Sequence, residues 1–70
     1  MSEHIPPRKL WRIERVTEET GLPRSSIYGL VSAGQFPAPV HPTPRTAAWI
    51  SAEVLEWIDE KIRLSREGVA

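Results

Sequence analysis

Arg24, Ser25, Ser26, Tyr28 and Ser32 place five hydrogen-bonding side chains within nine residues, and Arg45 follows on a proline-flanked loop. Guanidinium and hydroxyl groups in that mixture suit one kind of chemistry: donation to phosphate oxygens and to the acceptor edges of bases. No Asp or Glu occurs from Thr20 to Ala52. Carboxylates on such a surface would be repelled by phosphates, and bulky apolar groups would find nothing to pack against. Ile27, Leu30 and Val31 recur at helical spacing, so the polar residues fall on the remaining faces of one helix over 24–33. The pattern points to a helix-turn-helix that reads DNA, with 24–33 as its recognition helix.

Other elements must hold that helix in place. Glu14 to Thr20 reads as a short helix, with Ile13, Val16 and Thr20 on one face and Glu14, Arg15, Glu18 and Glu19 on the others. Glu14 and Glu18 are like charges at helical spacing, which favours solvent over pairing. Gly21 supplies a left-handed cap and Leu22 the apolar residue that packs back on the last turn. Pro23 suits the start of the next helix, because its missing N–H is no loss there. Gly34 ends that helix. The prolines of Phe36–Val40 keep the chain extended.

Val40-His41 and Thr46–Ile50 read as two short strands around Pro42-Thr43-Pro44-Arg45, a stiff hairpin or wing over 40–50. Leu10-Trp11-Arg12-Ile13 is a further short strand or extended segment. Ser51 is the expected N-cap of a last helix, with Glu53 in its first turn. Val54, Ile58 and Ile62 form its apolar stripe, widened by Leu55 and Trp57. Asp59 and Arg63 are spaced for a surface pair, and fraying is expected near 65–68. The fold class expected is mainly α with a small β-hairpin: a winged helix-turn-helix of three helices plus wing. A leader occupies residues 1–9, the DNA-binding domain 10–66 and a frayed end 67–70.

Seventy residues allow one small domain with a thin stability margin. With no cysteine and only His4 and His41, neither a disulfide framework nor a metal site is expected, and no cofactor. The core must come from aliphatics and from Trp11, Trp49 and Trp57. No membrane span or signal peptide is present in the pattern, so a cytoplasmic protein is expected. Formal net charge is zero, but its distribution is uneven. Residues 1–50 hold six Lys and Arg against four Glu, whereas 51–70 hold three against five acids. The acid collects at the C-terminal end, where it can face away from a phosphate backbone, and affinity per monomer should be modest and salt-sensitive.

Four segments together carry a resemblance: Leu10-Trp-Arg-Ile, Thr20-Gly-Leu-Pro-Arg-Ser-Ser-Ile-Tyr, Gly34-Gln-Phe-Pro-Ala-Pro-Val, and Ala48-Trp-Ile-Ser-Ala-Glu-Val-Leu-Glu-Trp-Ile. In this order, over roughly residues 10–63, they resemble the AlpA-type phage regulatory proteins, small factors related to the MerR-like and excisionase folds. The resemblance implies a prophage-encoded or mobile-element transcription regulator, or an excisionase that bends attachment-site DNA for an integrase. It places Arg24, Ser25, Ser26, Tyr28 and Ser32 on the recognition helix and Arg45 on the wing. Gly29 stands where such proteins commonly carry Arg or Lys, and Pro23 where a Ser cap is common.

Several residues keep two readings. Ser25 and Ser26 either satisfy free backbone donors in the first turn or touch phosphates and bases. Tyr28 either presents its hydroxyl to phosphate or is partly buried against the wing. Arg12 and Arg15 are either backbone-contacting auxiliaries or part of a solvated face. His41 reads as a strand surface residue, and Trp57 as packing. A glycine inside a helix costs about 1 kcal/mol relative to alanine, so close approach of something to the Gly29 backbone would explain it.

Three functions remain open on these residues: a DNA-binding transcription regulator, a recombination directionality factor acting with an integrase, and an interaction adaptor on the same fold. The expected partner is double-stranded DNA, together with an integrase or another copy of the chain on adjacent sites. No enzyme is expected: there is no cysteine nucleophile, no His–carboxylate constellation, no phosphate-cradling glycine loop, and too little chain to enclose a pocket.

Overall fold

The computed structural model describes residues 9–68. Along the chain run β1 (Leu10–Trp11), α1 (Ile13–Thr20), α2 (Arg24–Ser32), β2 (Val40–Thr43), β3 (Thr46–Ile50) and α3 (Ser51–Glu67). Three helices and one small antiparallel sheet make the fold mostly α, and the order is that expected for a winged helix-turn-helix. Of the expected leader, only Lys9 lies within the described residues.

The turn between α1 and α2 follows from four consecutive residue types. Gly21 takes φ 76°, a left-handed conformation, and its N–H donates to the Thr17 carbonyl. The Thr20 hydroxyl donates to the Val16 carbonyl at 2.8 Å and accepts from the Leu22 N–H at 3.2 Å. Pro23 is the last extended residue before α2, and its carbonyl accepts from Ser26 and Ile27. At the far end of α2, Gln35 N–H donates to Leu30 and Gly34 N–H to Val31, the two reversed bonds of a Schellman cap.

β3 is the middle strand, in the order β1-β3-β2, antiparallel on both sides. Leu10 pairs with Ile50 and Trp11 with Trp49, while Val40 pairs with Ala48 and Thr43 with Thr46. A register irregularity separates the last two pairs. It falls where Pro42 lacks the N–H a regular ladder requires.

That sheet corrects one expectation. Ser51 is not an N-cap but the first helical residue, and the cap position is Ile50, still extended. The Ser51 N–H donates to the Lys9 carbonyl at 2.8 Å, continuing the β1–β3 ladder by one rung. Strand pairing therefore keeps the chain extended through Ile50 and consumes the amide that starts the helix.

Ile13, Val16, Ile27, Phe36, Trp49 and Val54 form the core, with Trp11, Leu22, Leu30, Val31, Trp57 and Ile58 packed around it. Each helix contributes one or two residues, and β3 contributes the largest. The Trp49 indole N–H donates to the Pro37 carbonyl and that of Trp57 to the Gln35 carbonyl, both at 2.8 Å. Phe36 stands edge-on to both rings. The three aromatics thus anchor the connector that leads from α2 to the wing, and the expected packing role of Trp57 is met.

α3 outruns this core. Val54 is fully buried and Ile58 partly so, but Leu55 and Ile62 are each 45% exposed. The apolar stripe is real along the helix but only its first half is covered. The helix extends to Glu67, and the Gly68 N–H donates to the Leu64 carbonyl. Arg63 pairs with Glu60 at 3.5 Å and Glu67 at 3.3 Å instead of the expected Asp59. Partners on both sides, one turn away, support those final turns.

Candidate nucleic-acid interface

α2 divides cleanly. Ile27 is fully buried, Leu30 and Val31 are half-buried, and these three hold the helix on the core. Arg24, Ser25, Tyr28, Gly29 and Ser32 are exposed, and Ser26 is half-buried at the boundary. Ser25, Gly29 and Ser32 follow one another at helical spacing opposite Ile27. The outermost row of the helix is therefore short side chains, bordered on one side by Arg24 and Tyr28.

Among the described residues, neither the Ser25 nor the Ser26 hydroxyl bonds to backbone; the carbonyl of Pro23 starts the helix instead. Capping therefore does not account for these two serines. For Tyr28 the structure shows partial burial against the wing strand β3. Its ring leans on Trp49 with centroids 6.0 Å apart, which ties α2 to β3, yet the residue remains 45% exposed.

Gly29 meets nothing within 4 Å where a Cβ would stand. The expected close approach to its backbone is absent among the described residues. Gly21 is equally open, but its φ is +76°. The pair makes a matched test. Gly29→Ala should raise stability by about 0.5–1 kcal/mol, because only backbone entropy changes. Gly21→Ala should lower it by about 1–2 kcal/mol, the cost of a Cβ in the left-handed region. Thermal melts of the two variants should shift in opposite directions by several degrees.

The wing carries Arg45 at its tip. β2 is exposed along its length, His41 included, and a Thr43 to Thr46 hydroxyl bond of 2.8 Å clips the turn around Pro44 and Arg45. Arg45 and Arg12 are both exposed and, among the described residues, neither forms an ion pair. Arg12 precedes α1, where its carbonyl accepts from Arg15 and Val16. Arg15 is engaged twice, with Glu19 at 2.7 Å and over the Trp11 ring at 4.8 Å. Its packing role leaves it the weaker candidate of the two.

Glu14 was expected to face solvent alone. Instead its Oε2 accepts from Arg24 Nη2 at 2.7 Å, across the turn between α1 and α2. The window that is free of acid along the sequence is thus not free of acid in space. No sequence period could show this, since the partners are ten residues apart on different helices. The acid of α3 lies elsewhere: Glu53, Glu56 and Glu60 border a cleft with Pro37–Val40, Ile50 and Trp57, which takes no residue from α2.

Among the described residues, no group of three or more His, Cys, Asp or Glu side chains is placed to hold a metal ion. Nor is any described helix long and apolar enough to cross a membrane.

Two consecutive helices across a tight glycine turn, followed by a hairpin, are compatible with a winged helix-turn-helix. Residues 9–64 match the family described as Prophage CP4-57 regulatory protein (AlpA), and the chain belongs to that family of prophage regulatory proteins. It is also 33% identical to an uncharacterized protein, ORF88, of Enterobacteria phage P4, over 91% of this chain and 73% of the relative. No solved structure matches. The four sequence segments that carried the resemblance lie within the matched range.

Proposed function

We propose that this chain is a sequence-specific DNA-binding regulator of prophage or mobile-element type, with α2 in the major groove and the β2–β3 wing on the flank. The outward row of α2 supports this most strongly. Its short polar side chains would let the helix sit deep in a groove, with Arg24 at the N-terminal end where base contacts usually arise. Membership of a prophage regulatory family supports the same reading.

Arg24 carries its charge at the start of α2, whose first turn holds no acidic residue. Helix stability alone favours the opposite, because a cation at an N-terminus opposes the helix dipole. The Glu14 carboxylate offsets that cost within the protein, and a DNA acceptor on the remaining donors of Arg24 would offset it further. Gly29 fits the same picture: an alanine methyl would stand on the groove-facing row, so Gly29→Ala should melt higher yet bind DNA more weakly.

The charge available is small, so affinity should come from few contacts. With Arg12, Arg24 and Arg45 as the charges nearest phosphate, the logarithm of affinity against logarithm of salt should slope about −2 to −3. The full chain should be retained on random duplex or heparin at low salt and elute early in a gradient. Passage through both columns unretained would contradict the proposal and favour an adaptor.

A further inference from the structure

Among the described residues, Arg15–Glu19, Arg63–Glu60 and Arg63–Glu67 are local ion pairs three or four residues apart on one helix. Pairs of that spacing form on any helix surface with suitable charges. Arg24–Glu14 alone joins two elements, and it is as short as any, at 2.7 Å. Tertiary placement of α1 against α2 is required to make it. The pair is also open to solvent, with the side chains 60% and 64% exposed, so it forms no part of the core.

Its geometry leaves Arg24 competent. Glu14 takes Nη2 only, through one oxygen, so Nη1 and Nε keep their protons for another partner. A guanidinium has five donors in a planar fork, and a carboxylate on one side fixes the plane while the other edge stays available. The two adjacent acceptors O6 and N7 of guanine match such an edge. Glu14 is itself well placed to stay put, because it lies in the first turn of α1, where the dipole favours a carboxylate. A phosphate approaching Arg24 meets that carboxylate as well. The pair therefore opposes indiscriminate contact with the backbone while leaving the base-directed edge free.

Resting on the reading of α2 as the DNA-reading helix, we infer that Glu14 is a positioning residue that sets specificity. It orients Arg24 toward a guanine edge and holds it off phosphate. The chain gives up affinity for arbitrary DNA in return for discrimination.

The test compares full-length wild type, Glu14→Ala, Glu14→Gln, Arg24→Ala and the Glu14→Ala/Arg24→Ala double variant. The probes are a duplex selected by the wild type from a random library and a scrambled duplex of the same composition, each titrated at several salt concentrations. Glu14→Ala should bind the scrambled duplex roughly threefold to tenfold more tightly and bind the selected one no better, so the ratio of affinities falls. Glu14→Gln keeps the acceptor without the charge and should retain part of the ratio. In the Arg24→Ala background, Glu14→Ala should leave the ratio where Arg24→Ala alone puts it. Thermal melts confirm that each variant is folded, since both side chains are exposed.

An unchanged ratio in Glu14→Ala would overturn the inference, as would an equal loss with or without Arg24. If Arg24→Ala lowers the ratio while Glu14→Ala does not, only the positioning role falls. If the wild type selects no duplex, the DNA reading falls and takes the inference with it.

Discussion

Trp49→Ala is expected to leave the domain largely unfolded at room temperature. Trp49 is completely buried on the middle strand, stands edge-on to Phe36 at 6.5 Å, and supports Tyr28 at 6.0 Å. Its indole N–H also holds the Pro37 carbonyl. Truncating a buried tryptophan to alanine costs about 3–5 kcal/mol, from lost transfer energy and from the cavity left behind. A single core in a chain this short supplies about 3–5 kcal/mol of stability in total, and with no cysteine there is no disulfide to supplement it. The loss is as large as the margin. Trp49→Phe separates the two contributions: it keeps a ring against Phe36 but leaves the Pro37 carbonyl unpaired, for about 1–3 kcal/mol. That variant should fold and melt early. Circular dichroism during heating reads both, and a cooperative melt of Trp49→Ala close to that of the wild type would contradict the assigned core.

Arg24→Ala is expected to cost roughly 10- to 100-fold in affinity for a selected site, the equivalent of about 1–3 kcal/mol for one base-reading arginine. The loss should concentrate at one base position, with preference for guanine relaxed there. Arg45→Ala should behave differently. An arginine at the tip of a proline-stiffened turn has no element to aim it at a base edge, so its loss should weaken all duplexes alike and reduce the salt slope by about 1. The neighbour of Arg24 shapes the expected result. Removing the guanidinium leaves Glu14 unpaired and exposed near the same surface, so part of the measured loss is repulsion from that carboxylate. Comparing Arg24→Ala with the Glu14→Ala/Arg24→Ala double variant separates the two parts.

What the sequence made legible was local. Gly21, Leu22 and Pro23 specify the turn between α1 and α2 by backbone chemistry that needs no distant partner, and the turn is where they place it. The same holds for the Gly34 cap and for the prolines that keep 37–39 extended. Wherever a residue answers to something far along the chain, local pattern was insufficient. Ser51 has the side chain of an N-cap, but its amide pairs with Lys9, forty-two positions earlier, and that decides its role. Leu55 and Ile62 continue the helical period correctly, yet period cannot say how far the core extends beneath a helix.

The candidate interface divides along the same line. That Ser25, Gly29 and Ser32 face away from Ile27 is a matter of helical geometry and was readable. The ion pair between Arg24 and Glu14 was not, because it depends on how two helices cross. The anchoring of residues 35–37 by Trp49 and Trp57 was hidden for the same reason: aromatic residues announce a core but not the carbonyls their N–H groups will meet.

Arg24 on α2 is proposed to give this chain its preference for particular DNA, and Arg45 on the wing to add the affinity that lets the preference be read. Selection of binding sites from a random duplex library by the wild type and by the Arg24→Ala/Arg45→Ala variant tests it most directly, with melting curves showing both proteins folded. The wild type should enrich one defined sequence and the double variant none. Enrichment of the same sequence by both proteins would contradict the claim.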